Sequence, residues 1–178
     1  MMTLDRKEIH KYFSDLCTTF MTYHNHKETS AWAAVALYPI IILQYYDVLN
    51  SYLKIYITTT CAKTIVIILF LLFTFGVLYY VHIQYKLRKI SAYVIAACRK
   101  LSLKYLTADE ADIKLSDFEH CPHRTVLNHK DIGKILPLCL IDTIDEQSNY
   151  CKEYITILEY CGYCIILLTA FVFILLIL

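Results

Sequence analysis

Three long apolar runs, separated by stretches where polar and charged positions return, set the layout of this chain. The strongest, Thr64 to Gln84 (TIVIILFLLFTFGVLYYVHIQ), carries no formal charge unless His82 is protonated. At a rise of 1.5 Å per residue it extends about 31 Å, enough to cross the hydrocarbon core of a bilayer. Tyr79, Tyr80 and Tyr85 gather at its far end, as amphipathic rings do at a membrane–water boundary, and Lys86, Arg88 and Lys89 follow. The C-terminal run, Tyr160 to Leu178, is also free of charge, with Glu153 and Glu159 before it. It reads as a span, because nothing else in the chain is large enough to bury every side of CIILLTAFVFILLIL. The first run, Ala31 to Tyr46 (AWAAVALYPIIILQYY), is shorter and contains Pro39. A kinked span is favoured there, with a re-entrant or interfacial segment as the alternative.

Between the runs the pattern predicts helices. In residues 1–30, Ile9, Tyr12, Phe13, Leu16 and Phe20 share one helical face, and both charge signs are mixed in. This stretch lacks the apolar core of a secretory signal, so it is expected to stay in the mature protein as an amphipathic helix. Its apolar face is expected to pack on the polar-side helices rather than lie on the membrane. After the strong span, Leu87, Ile90, Val94, Ala97, Leu101 and Tyr105 continue a stripe that carries the helix on to about Leu106. Thr107-Ala-Asp-Glu110 has the form of a capping box, and Pro122 suits the first turn of a helix reaching Leu136. Pro137 marks a break, and from Leu138 a helix is expected to feed into the last span. The expected divisions are 1–30, an amphipathic segment; 31–85, a membrane hairpin; 86–156, a helical domain; and 157–178, the final span.

Composition agrees with membrane residence: 58% of residues are hydrophobic and 19% charged, with a mean hydropathy of +0.48. Net charge is +1, so attraction to polyanions has to come from local clusters. One cluster exists: Lys86, Arg88, Lys89, Arg99, Lys100 and Lys104 occur with no acidic residue among them. The positive-inside rule therefore puts 86–156 in the cytosol. With three spans the N-terminus is cytosolic and the C-terminus outside. Eight cysteines form no regular framework and read as reduced, mostly buried small apolar residues.

Reactive side chains are densest in HCPHRTVLNH, residues 120–129. His120, Cys121, His123 and His129 include possible zinc ligands, but their spacing matches no established framework, and no metal is expected. Arg124 and His129 form an R-x4-H pattern. Histidine as general acid/base and arginine as a charge stabiliser suit metal-independent RNA cleavage. With three spacings allowed between an arginine and a histidine, chance alone predicts roughly 0.5 matches in a chain of this composition. Cys161-Gly-Tyr-Cys164 lacks the context of a redox motif and reads as small packing residues at a helix interface. The strong span offers only Thr64, Thr74, His82 and Gln84 as polar positions, sparse for the lining of a pore.

In its size, its opening MMTLDRKEIHKYFSDLCTTF, the charged stalk after the strong span and the motif RTVLNH, the chain resembles the small membrane accessory proteins of type VI-B CRISPR systems. The resemblance implies an all-α integral membrane protein with two to three transmembrane helices and a small HEPN-like cytosolic helical bundle. It implies residence in the bacterial inner membrane and assembly into a ring-like homo-oligomeric pore that depolarises the cell. The partner implied is an RNA-guided, RNA-cleaving nuclease whose interference the pore strengthens. Arg124 and His129 fall on the family's R-x4-6-H motif, but Thr125 stands where that class usually has a residue such as Asn, which weighs against catalysis. No enzymatic activity and no cofactor are expected; a membrane-tethered ribonuclease acting on RNA is the alternative. A two-span defence effector answering a nucleotide signal is a third reading, for which no nucleotide-binding motif is visible.

Overall fold

Only three glycines and three prolines punctuate the chain, and the helices of the computed structural model are correspondingly long. Residues 6–52, 60–107, 136–150 and 157–177 are described. They form α1 (Arg6–Tyr52), α2 (Thr60–Thr107), α3 (Leu138–Tyr150) and α4 (Ile157–Ile177). Among the described residues the fold is all-α. Three of the helices, α1, α2 and α4, are long and apolar enough to cross a membrane.

The amphipathic segment and the first apolar run are one 47-residue helix with Pro39 inside it. Pro39 gives up its own hydrogen bond to the Val35 carbonyl and crowds it, but the helix continues through it. α2 runs through to Thr107, as the apolar stripe predicts. The Pro137 carbonyl accepts from the amides of Leu140 and Ile141 at 3.0 and 3.1 Å, which starts α3. The helix expected to feed the last span appears as two, α3 and α4, with 151–156 outside the described residues. The helices expected after Thr107 and from Pro122 also lie outside them.

The helices contribute to two units. The first comprises Met1–His26 and Leu87–Tyr154, the second Lys27–Lys86 and Ile155–Leu178. In the first, Ile9 and Phe13 of α1 are buried with Val94, Ala97, Leu101 and Tyr105 of α2 and Leu140, Ile141 and Ile144 of α3. Phe13 and Tyr105 stack with centroids 6.0 Å apart and planes within 3°. Toward the end of the α1 stretch, His24 Nδ1 lies 3.1 Å from both the Arg88 carbonyl and the Ser91 hydroxyl, tying α1 to α2. The apolar face of the N-terminal stretch thus packs on protein.

In the second unit, the buried positions of α1 are Ala31, Val35, Tyr38, Ile42 and Leu49, and those of α2 include Phe70, Thr74, Val81 and Tyr85. These steps of three, four and seven keep the buried positions on one face of each helix. Tyr38 meets Thr74, while Leu49 and Asn50 lie beside Lys63 and Val66, so α1 and α2 run antiparallel. Helix α4 completes the bundle through Gly162, Ile166, Ala170 and Phe173. Phe173 packs on Phe70 with centroids 4.2 Å apart, and Tyr45 and Tyr46 flank it at 6.0 and 6.4 Å.

Candidate functional site

Arg124 and His129, the residues singled out by motif, lie outside the described residues, as do His120, Cys121 and His123. Among the described residues no group of three His, Cys, Asp or Glu side chains could hold a metal ion. The site that can be built from residues upward is the surface and interior of the three-helix unit.

Its outward positions are large and apolar. Leu37, Leu43, Leu72, Phe75, Leu168 and Phe171 are all exposed, Phe75 to 73%. A water-soluble domain keeps such contiguous apolar surface small, whereas hydrocarbon tolerates it. Several polar groups on the same helices bond within the chain. Thr64 and Thr169 donate to the carbonyls of Thr60 and Ile165, at 2.9 and 2.8 Å. Thr74 is buried; its hydroxyl donates to the Phe70 carbonyl at 2.9 Å and is 2.7 Å from the Tyr38 hydroxyl. Since the Thr74 proton goes to that carbonyl, Tyr38 is the donor of the pair. His82 Nδ1 and the Tyr163 hydroxyl are 3.1 Å apart, linking α2 to α4. Backbone and side-chain polar groups in hydrocarbon need this kind of internal pairing.

Of the four polar positions in the strong span, Thr74 and Gln84 are buried in the chain, Thr64 bonds its own helix, and His82 is engaged by Tyr163. No outward polar stripe results among the described span residues. At one end, Tyr85, buried to 2%, brings its hydroxyl against Gly162, which has no side chain to obstruct it. Tyr85 and Tyr163 also meet edge to face at 5.8 Å. Sequence reasoning passed over Gly162 for its two cysteine neighbours. Cys161 and Cys164 are free and exposed rather than set at a helix interface; the glycine between them makes the close contact. Its signal was available: it is the lone glycine of an otherwise bulky helix.

Of the six described cysteines, all free, only Cys98 is buried. Cys17 and Cys139 pack against the same cluster from α1 and α3. Burial, with those two thiols beside it, pushes the Cys98 thiol up to about 12. Burial likewise raises the Tyr12 phenol, with Cys98 and Cys139 adding to the effect. High thiol pKa values make for inert sulfur, not nucleophiles. Several basic residues of the stalk are used locally: Lys100 pairs with Glu146 at 2.7 Å, Arg99 reaches the Met21 sulfur at 3.7 Å, and Lys104 lies 5.6 Å from the Tyr105 ring centre.

Comparison with protein-family models, with curated proteins and with solved structures finds no match for this chain.

Proposed function

We propose that this protein is a membrane-resident effector of antiviral defence, which self-associates in the inner membrane and raises its permeability without an enzymatic step of its own. The observation that carries the membrane part is the three-helix unit, apolar outward and with polar groups such as Tyr38 and Thr74 bonded to each other inside it. The defence part rests on the sequence resemblance, and with it the expectation of a HEPN-like cytosolic bundle and of functional coupling to an RNA-guided nuclease.

The interior of one unit is filled by Tyr38, Phe70, Phe173 and their neighbours, so conduction in this reading belongs to an assembly and arises between copies. Arg124 and His129 then serve packing or gating. The basic end of the strong span faces the cytosol by the positive-inside rule.

The test is a potential-sensitive dye in cells expressing the protein together with an active RNA-guided nuclease. Depolarisation is expected, rising more steeply than in proportion to protein level. An unchanged potential, with the protein recovered from the membrane fraction, would overturn the proposal.

A further inference from the structure

At the tyrosine-rich end of the three-helix unit, one face of α2 passes from apolar to basic. Phe75 and Tyr79, 73% and 62% exposed, are followed at helical spacing by His82 and Lys86, which are exposed too. His82 Nδ1 is engaged by the Tyr163 hydroxyl of α4 at 3.1 Å. Its Nε2 and the Lys86 ammonium make no bond among the described residues. The two residues stand about 6 Å apart along the axis, four positions at the helical rise. Tyr163 meets Tyr85 while Phe173 meets Phe70, so α4 runs antiparallel to α2. Tyr160, exposed and one turn before Tyr163, therefore comes to the level of Lys86.

We infer that His82 and Lys86 bind the phosphate of an anionic phospholipid at this boundary of the bilayer. The inference rests on the membrane reading above. Charge selects an anion: α2 contains no acidic residue, and Glu159, the one carboxylate of α4, is 2% exposed and so turned away from this face. Depth selects a lipid. His82 follows directly on the outward Phe75 and Tyr79, so an occupant that reaches both it and Lys86 spans the change from apolar to polar surface. A headgroup joined to its acyl chains does this. A soluble anion meets Lys86 from water but has to shed its hydration to reach His82. The ring chemistry agrees. With the Tyr163 hydroxyl donating to Nδ1, the neutral imidazole carries its hydrogen on Nε2, which then donates to a phosphate oxygen beside the ammonium.

The full chain in a mild detergent is titrated with phosphatidylglycerol, and separately with phosphatidylcholine, which has the same phosphate but no net charge. Bound lipid is counted by native mass spectrometry, with glycerol phosphate as a soluble competitor. Phosphatidylglycerol is expected to bind at least about fivefold more tightly than phosphatidylcholine. Lys86→Gln should weaken it about fivefold, the scale of one basic residue at a membrane surface, and Lys86→Arg should restore it. His82→Phe should weaken it about tenfold, the scale of one hydrogen bond to a charged group. Lys63→Gln removes the same charge from the other end of α2 and is expected to leave binding unchanged. Lys86 is exposed, so its variants keep the packing of the unit, and circular dichroism melting checks this.

Equal affinity for the two lipids overturns the inference from the wild type alone, whatever the variants do. Equal losses in Lys86→Gln and Lys63→Gln overturn it in favour of diffuse charge attraction. Displacement of phosphatidylglycerol by glycerol phosphate at matching concentration overturns it in favour of a soluble phosphate compound. Flotation of the chain with phosphatidylethanolamine–phosphatidylglycerol vesicles is measured alongside. A chain that does not float removes the membrane reading itself, and the headgroup site with it.

Discussion

The Tyr85 hydroxyl lies 2.7 Å from where a Cβ on Gly162 would stand, and the Val35 Cγ2 methyl lies 3.4 Å from the same point. One missing side chain on α4 therefore admits atoms from both α1 and α2, and the three helices of the unit meet there. Tyr85 is buried to 2%, so its ring has little room to swing aside. Gly162 is worth its poor helix propensity because of this approach, not because of any unusual backbone angle.

Gly162→Ala is accordingly expected to destabilise the three-helix unit by about 1–3 kcal/mol, the usual range for overpacking a filled site. Tyr85→Phe removes the atom at 2.7 Å and leaves the ring carbon at 3.7 Å, so the double variant should recover part of the loss. Unfolding midpoints in a mild detergent, for both single variants and the pair, check this. Purely additive losses would show that the contact is not the cause.

The Tyr38–Thr74 bond, 2.7 Å long and buried, is expected to give a coupling energy of about 0.5–1.5 kcal/mol in a double-mutant cycle of Tyr38→Phe and Thr74→Val. The value is modest because Thr74 keeps its bond to the Phe70 carbonyl when the phenol is lost. A cycle with no measurable coupling would mean that the two hydroxyls do not meet in the folded protein.

The sequence made the strong span, the last span and the extension of α2 to Thr107 legible, since each is a long pattern with a single period. The unity of α1 was harder to read: the charged residues before Ser30 and the proline at 39 look like boundaries. The helix continues because Ile9, Phe13, Val35 and Tyr38 each find a buried place on it. Nor does periodicity tell which polar residues of a span turn inward. Thr74 does so because Tyr38 of α1 meets it, and pairings across helices leave no trace in local order. The RTVLNH motif remains a statement about sequence, its residues lying outside those described.

Burial of Cys98 predicts a pH dependence. Its thiol is raised from about 9 to about 12, so between those values the unfolded chain loses a proton that the folded chain retains. Stability from this group is therefore level below about pH 9 and falls as pH rises from 9 toward 12. Lysines and tyrosines titrate in the same window, so the measurement is the difference between wild type and Cys98→Ala in denaturant midpoints across pH 7–11. The difference should change only above pH 9. At pH 7.5 Cys98 should also resist maleimide until the chain is unfolded.

Core and surface contacts of the first unit should separate cleanly. Leu140 is fully buried among α1, α2 and α3 residues, and Leu140→Ala is expected to destabilise by about 2–5 kcal/mol. The Lys100–Glu146 pair is short, but both side chains are about half exposed, and Lys100→Ala should change stability by no more than about 1 kcal/mol. Chemical unfolding followed by circular dichroism distinguishes them; comparable effects would mean the ion pair is far better shielded than its exposure implies.

Topology follows from the directions of the helices. Within the three-helix unit α1 and α2 are antiparallel, and α4 runs with α1: Tyr163 near its start meets Tyr85, while Phe173 near its end meets Phe70. If α1, α2 and α4 all cross, the two chain termini lie on opposite faces of the membrane. In the proposed reading, Lys86, Arg88 and Lys89 of α2 mark the cytosolic face by the positive-inside rule, which is the face before the apolar run of α1 and after that of α2. A fluorescent protein fused at the N-terminus should therefore fluoresce, and a phosphatase that folds only outside the cytosol should be active when fused at the C-terminus. The reverse fusions should both be silent. If both termini report the same side, one of the three helices does not cross. The segment holding Pro39 would be the first to examine, because it is the least hydrophobic of the three.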